Sequence, residues 1–137
     1  MLTIDIRHPD VEQFIDIKKD RTKVTGANIS IKIRDDFMQA VAKDEDYILR
    51  WPCNMDISEV NEKEFWDNTV KEYNKLYTIK TPNTIVYFKL VKAKELWNKI
   101  ITAAHDSAEP GLLFVDRAHD YSPDGVYPQY KATNTNP

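Results

Sequence analysis

Cysteine is almost missing from these 137 residues, and the one copy, Cys53, excludes an internal disulfide framework and any zinc site built on cysteines. Excess basic charge is missing too. With 19 Lys and Arg against 22 Asp and Glu, the formal net charge is -3, and the lysines are interleaved with acids, so no basic stripe exists to track phosphates. Direct binding of nucleic acid is therefore not expected. No apolar run approaches the roughly 18 residues needed to cross a bilayer. Met1 is followed by Leu2-Thr3-Ile4-Asp5 instead of a basic segment and an apolar signal core. Neither a membrane span nor a secretory signal is expected, and cytoplasm is the default location. Nothing repeats internally.

What is present suffices for the core of one modest domain, since 42% of the residues are hydrophobic and 11% aromatic. Leu2, Ile4 and Ile6 alternate with Thr3 and Asp5, as in a strand. Asp10 is a candidate N-cap for a helix with Val11, Phe14, Ile15 and the stem of Lys18 on one face, ending at Lys18-Lys19. After a charged connector from Asp20 to Gly26, Ala27, Ile29, Ile31 and Ile33 alternate strictly with polar residues and predict a second strand. Asp35 and Asp36 open another helix carrying Phe37, Met38 and Val41. Tyr47 to Trp51 reads as a strand stopped by Pro52, Glu62 to Leu76 as a helix with a ragged stripe, and Ile85 to Phe88 as a short strand. Ala93, Leu96, Trp97, Ile100, Ile101 and Ala104 form the cleanest amphipathic stripe, closed by Glu109-Pro110-Gly111. Leu112 to Val115 is a continuous apolar run, expected as a strand buried on both faces, and from His119 onward the composition predicts irregular structure. Strands alternating with helices point to an α/β architecture with at least some parallel pairing.

Few residues suggest chemistry by themselves. His8 and His105 have no acidic or cysteine partners at ligand spacing, and His119 with Asp116 and Asp120 does not make a metal site, so no metal is expected. Asn28-Ile29-Ser30 matches a glycosylation triplet without meaning in a cytosolic strand. Cys53 reads as an ordinary packing residue. By itself, the connector Arg21 to Asn28 reads as a plain solvated turn between helix and strand more readily than as a binding loop. Gly26 would permit an unusual backbone, Arg21 and Lys23 could meet phosphates or base edges, and Thr22, Thr25 and Asn28 offer adaptable hydrogen bonds.

Taken in order, Met1-Leu-Thr-Ile-Asp-Ile-Arg-His-Pro-Asp10, Phe14-Ile-Asp-Ile-Lys-Lys19, Thr22-Lys-Val-Thr-Gly-Ala-Asn-Ile-Ser30, Phe37-Met38 and Ala40-Val41 make one set of blocks. Ala93-Lys-Glu-Leu-Trp97, Ala108-Glu-Pro-Gly111, Phe114-Val-Asp-Arg117, Tyr121-Ser-Pro-Asp-Gly-Val-Tyr127 and Thr135-Asn136-Pro137 continue it. Together they resemble the large catalytic subunit of ribonucleotide reductases, most nearly the adenosylcobalamin-dependent class II enzymes. Residues 1–50 and 88–137 carry the resemblance, with a divergent, insertion-like middle at 51–87, and the whole chain is expected to be one fragment of the catalytic barrel domain.

The resemblance implies part of a ten-stranded α/β barrel and a parent enzyme that converts ribonucleotides to deoxyribonucleotides by radical chemistry. That chemistry uses three cysteines, one to carry the radical and two to supply electrons; Cys53 matches none, and in the family the radical cysteine would follow Pro137. The fragment is thus expected to be inactive alone. Asn136 matches the asparagine that orients the substrate. Arg21, Thr22, Lys23, Val24, Thr25, Gly26, Ala27 and Asn28 match the loop that relays the identity of a deoxynucleoside triphosphate effector to the active site. Adenosylcobalamin is implied for the parent, not for this segment. The expected partners are ribonucleotide substrate, nucleotide effectors and the remainder of the reductase chain, with self-association through open sheet edges. The alternative is a non-catalytic nucleotide-binding or assembly module, or one half of a split or interrupted reductase.

Overall fold

The computed structural model describes residues 1–20, 22–54, 72–80 and 82–123. In chain order the elements are β1 (Leu2–Asp5), α1 (Val11–Asp16), β2 (Ile29–Ile33), α2 (Asp35–Lys43) and β3 (Asp46–Trp51). They continue with β4 (Leu76–Lys80), β5 (Ile85–Lys92), α3 (Ala93–Ser107), β6 (Gly111–Phe114) and α4 (Val115–Tyr121). The architecture is α/β, as expected. Among the described residues it comprises two three-stranded sheets, a parallel one ordered β1-β2-β6 and an antiparallel one ordered β3-β5-β4, rather than a closed barrel.

The parallel sheet follows from the alternation seen in the sequence. Ile29, Ile31 and Ile33 are buried in the central strand, and Ile31 and Ile33 join Ile6, Val11, Ile15, Phe37, Leu96 and Ile100 in the main core. Leu2 to Asp5 pair in register with Ile29 to Lys32, and Ser30 to Ile33 with Gly111 to Phe114. Each crossover carries a helix, as parallel neighbours require. In α3, Ala93, Leu96, Ile100 and Ala103 form the buried stripe and Trp97 packs against the core, so the Trp97 stripe is core as read; Ile101 instead faces outward at 48% exposure.

Several expectations are corrected. Strand β6 is not buried on both faces: among the described residues it has a neighbour on one side only, and Leu112 and Phe114 are 36% and 43% exposed. Val115 does not end this strand but opens α4, which carries His119 and Tyr121 in a helical turn where irregular structure was expected. The short strand at Ile85 is eight residues long because β3 and β4 flank it on both sides and satisfy its backbone. Leu76 begins β4 rather than closing a helix; the rest of that expected helix, up to residue 71, lies outside the described residues. Strand β2 starts at Ile29, leaving Ala27 and Asn28 in the preceding loop. Helix α1 stops at Asp16, short of Lys18-Lys19, and Asp10 does not cap it with its side chain. The Asp10 N–H is already used, donating to His8 Nδ1 at 3.0 Å.

Candidate functional site

The connector between α1 and β2 is held at its start by Asp20. Its Oδ1 accepts both the Thr22 hydroxyl at 2.6 Å and the Thr22 N–H at 3.0 Å, and the Lys23 N–H closes the turn on the Asp20 carbonyl at 3.0 Å. The Thr22 hydroxyl bond holds the Asp20 carboxyl below its ordinary pKa. Gly26 does not supply the unusual backbone. The left-handed residue is Val24, with φ of 49°, while no glycine of the described chain has positive φ. A β-branched side chain is disfavoured there by contact with its own backbone. Around Gly26 the space is open, with nothing within 4 Å of a Cβ built on it.

At its other end the loop is tied down by residues distant in sequence. The Lys18 ammonium donates to the Ala27 carbonyl at 2.8 Å and pairs with Glu109 Oε2 at 2.8 Å. Glu109 Oε1 accepts the Ile29 N–H at 3.3 Å, and the Asn28 carbonyl accepts the Leu2 N–H at 2.8 Å. Lys23, Val24 and Thr25 then line one wall of an open groove of about 590 Å³. Residues His105 to Glu109, the end of α3 and the turn after it, form the other wall. The structure thus brings Lys23, Val24 and Thr25 of the expected loop onto one groove, while Ala27 and Asn28 are held at the loop base through their carbonyls and do not line it. Arg21 and Asn136 lie outside the described residues.

The opposite edge of the parallel sheet, where the strands end, is a lattice of charge. Asp5 accepts Arg7 through Nε at 3.1 Å and Nη2 at 3.2 Å, and Arg34 through Nε at 2.9 Å and Nη2 at 2.7 Å. Arg34 also donates to Asp116 at 2.8 Å, and Asp116 accepts the Asp35 N–H at 2.9 Å, a capping bond at the start of α2. Burial alone would raise the Asp5 pKa, but the hydrogen bonds from Arg7 and Arg34 outweigh it and hold the carboxyl below the usual range. Cys53 is half-buried, and burial first, with Asp5 nearby, pushes its thiol up, which suits a packing role and not a thiolate nucleophile. His8 packs on Trp51 with ring centroids 4.8 Å apart, and His105 is exposed beside Asp106. Asp116 is turned to Arg34, away from any grouping with His119; among the described residues no three His, Cys, Asp or Glu gather as for a metal ion. Nor, among those residues, is any helix long and apolar enough to cross a membrane.

A family model described as the ribonucleotide reductase barrel domain matches residues 1–136. The chain belongs to that family. A vitamin B12-dependent ribonucleoside-diphosphate reductase of Thermoplasma acidophilum is 28% identical over 121 residues, covering 88% of this chain and 12% of that protein. The protein of the same name from Mycobacterium tuberculosis is 25% identical over 135 residues, 98% of this chain and 15% of its own length. A ribonucleoside-diphosphate reductase large subunit from Acanthamoeba polyphaga mimivirus is 29% identical over 123 residues, 84% of this chain and 13% of its own. The barrel-domain segment described here therefore spans about an eighth to a seventh of the curated relatives it matches.

Sequence reasoning missed Lys18 and Glu109 as loop residues and the Asp5–Arg34–Asp116 lattice. Lys18 read as a helix stem and Glu109 as part of a stop signal. Only the parallel crossover brings them together, so no local spacing could have shown the pair.

Proposed function

We propose that the chain serves as the part of a ribonucleotide reductase catalytic subunit that carries the recognition loop, Arg21 to Asn28, between an effector site and the active site. The observation that carries this reading is the groove walled by Lys23, Val24 and Thr25 on one side and the end of α3 on the other. A loop pinned at both ends with its middle on a groove can take different positions against different ligands. Such differential contact is what coupling between two sites requires. In the parent, the effectors are deoxynucleoside triphosphates, the substrates ribonucleoside diphosphates as in the names of the relatives, and the product the 2'-deoxy form.

Asn136 is assigned to substrate orientation, since a planar amide both donates to and accepts from ribose hydroxyls. Adenosylcobalamin would supply the radical in the parent. The grooves of the described residues do not fit a corrin: the loop groove is walled by a turn and a helix end, and the cleft beside His8 holds only about 290 Å³. His8, the one imidazole there, packs at a tilt against Trp51. The cofactor belongs to the remainder of the reductase chain. With Cys53 as the single thiol, these 137 residues hold too few for the radical and reducing roles together, and they are inert alone.

The test is Lys23→Ala and Thr25→Ala in the reductase that contains this segment, with the four ribonucleotides competing under each effector. The ratios among products should shift severalfold while the rate on the best substrate changes less. Unchanged ratios would sink the reading. The second reading, an assembly module, is favoured by the exposed edge of β6, where Leu112 and Phe114 stand uncovered.

A further inference from the structure

We infer that Lys18 and Glu109 form an anchor that sets where the 22–28 loop sits, making them positioning residues for whatever the loop recognises. The inference rests on the reading of that loop as a recognition element. Four parts of the fold meet at the pair: the segment after α1 through Lys18, the loop through the Ala27 carbonyl, the first residue of β2 through the Ile29 N–H, and the α3–β6 turn through Glu109. Both side chains are largely withdrawn from water, at 17% and 21% exposure. A charge-assisted pair in that setting is stronger and better fixed in direction than a surface pair. Its atoms are used on both sides: Glu109 spends one oxygen on Lys18 and the other on a backbone N–H.

Geometry makes the pair a positioning device beyond a general staple. The Ala27 carbonyl and the Ile29 N–H flank Asn28, whose own carbonyl accepts the Leu2 N–H. Three consecutive residues at the loop base are therefore fixed to three different elements. By contrast Thr22 and Lys23 are held, among the described residues, by Asp20, two and three positions away. The loop has a rigid foot and a locally held lead-in, and Glu109 itself lines the groove that the loop faces. A ligand in that groove and the foot of the loop thus share one carboxylate, which gives a direct physical route by which occupancy and loop position affect each other.

The test is amide hydrogen exchange on the 137-residue chain with Lys18→Met, Glu109→Gln and Lys18→Arg. Leu2 and Ile29 amides report the anchor, and Ile31 and Ile33 serve as references within the same sheet. In Lys18→Met, exchange at Leu2 and Ile29 should rise about tenfold against the references, with smaller loss in Glu109→Gln and protection regained in Lys18→Arg, which keeps a donor for the Ala27 carbonyl and a charge for Glu109. Exchange that is unchanged at Leu2 and Ile29, or that rises equally at Ile31 and Ile33, overturns the inference. The product-ratio experiment above judges the recognition role separately: if those ratios stay fixed while the exchange result holds, the recognition reading fails and the anchor geometry stands.

Discussion

Arg34, just past the end of β2, reaches across the sheet to Asp5 at the end of β1 with an Nη2–Oδ2 distance of 2.7 Å, and its Nη1 meets Asp116 in α4 at 2.8 Å. One guanidinium thus ties the ends of all three parallel strands, a task suited to arginine because its fork offers separate nitrogens in fixed directions. Asp5→Asn keeps the shape but removes the charge facing two arginines, and should cost about 2 kcal/mol. Calorimetry should show a melting temperature lower by roughly 5–10 °C. A variant within 1 °C of the parent would mean that the lattice adds nothing net.

The carboxyls of Asp5, Glu12 and Asp116 are all held below their ordinary values, burial opposing and their Arg and Lys partners, or the Asp35 N–H, prevailing. A depressed folded-state pKa gives stability that is present above the unfolded value, near 4, and is lost as pH falls through the folded one. Lys99 is displaced the other way: burial opposes, but Asp16 and Glu12 raise it, so its contribution is full below about pH 10 and is lost at higher pH. Melting temperature should therefore be flat between about pH 5 and 9 and drop steeply below 4. The drop should be shallower in Asp5→Asn, and equal slopes in parent and variant would contradict the assignment.

Gly111 opens β6 directly beside β2, and a Cβ built there would stand 2.9 Å from Ser30 Oγ. Ser30 is 6% exposed, so its hydroxyl has little room to turn aside. Gly111→Ala should lose about 1 kcal/mol, as overpacking of a close contact does. Ser30→Ala in the same chain should recover most of it, since the next atoms are at 3.8 Å. Denaturant midpoints of the two variants check this, and a double variant no better than the single would refute the contact.

Strand β2 and helix α3 were legible because their apolar spacing is local and each has a buried face to match it: Ile29, Ile31 and Ile33 in one, Leu96 and Ile100 in the other. The apolar run at Leu112 misled because hydrophobicity reports what a strand is able to bury, and among the described residues β6 has one neighbouring strand only. Leu76 to Lys80 was missed as a strand because its partners in β5 are set by pairing that spacing within the segment does not encode. At the loop, the Thr22 hydroxyl donates locally to Asp20, and the strain was assigned to Gly26 because glycine tolerates positive φ. The chain puts it on Val24, where the turn closed by Asp20 demands it.

That displacement is testable. Val24→Asn removes a β-branched residue from a left-handed position that asparagine tolerates, and should stabilise the chain by about 1 kcal/mol. Gly26→Ala meets open space without positive φ, and should be neutral or gain about 0.5 kcal/mol by restricting the unfolded chain. Thermal melts of both variants decide it. Destabilisation by Gly26→Ala would return the special backbone to the glycine.

Exposed Leu112 and Phe114 lie on the face of β6 that continues Ile31 and Ile33, beside an edge whose backbone groups have no neighbouring strand among the described residues. Such an edge templates further pairing. Light scattering at rising concentration should show self-association, and Leu112→Lys should return the chain toward monomer by placing a charge on the edge. Phe114→Ser should do so less, since it removes apolar area without adding repulsion. Association that persists in both variants would locate the contact elsewhere and remove the observation that favours the assembly reading.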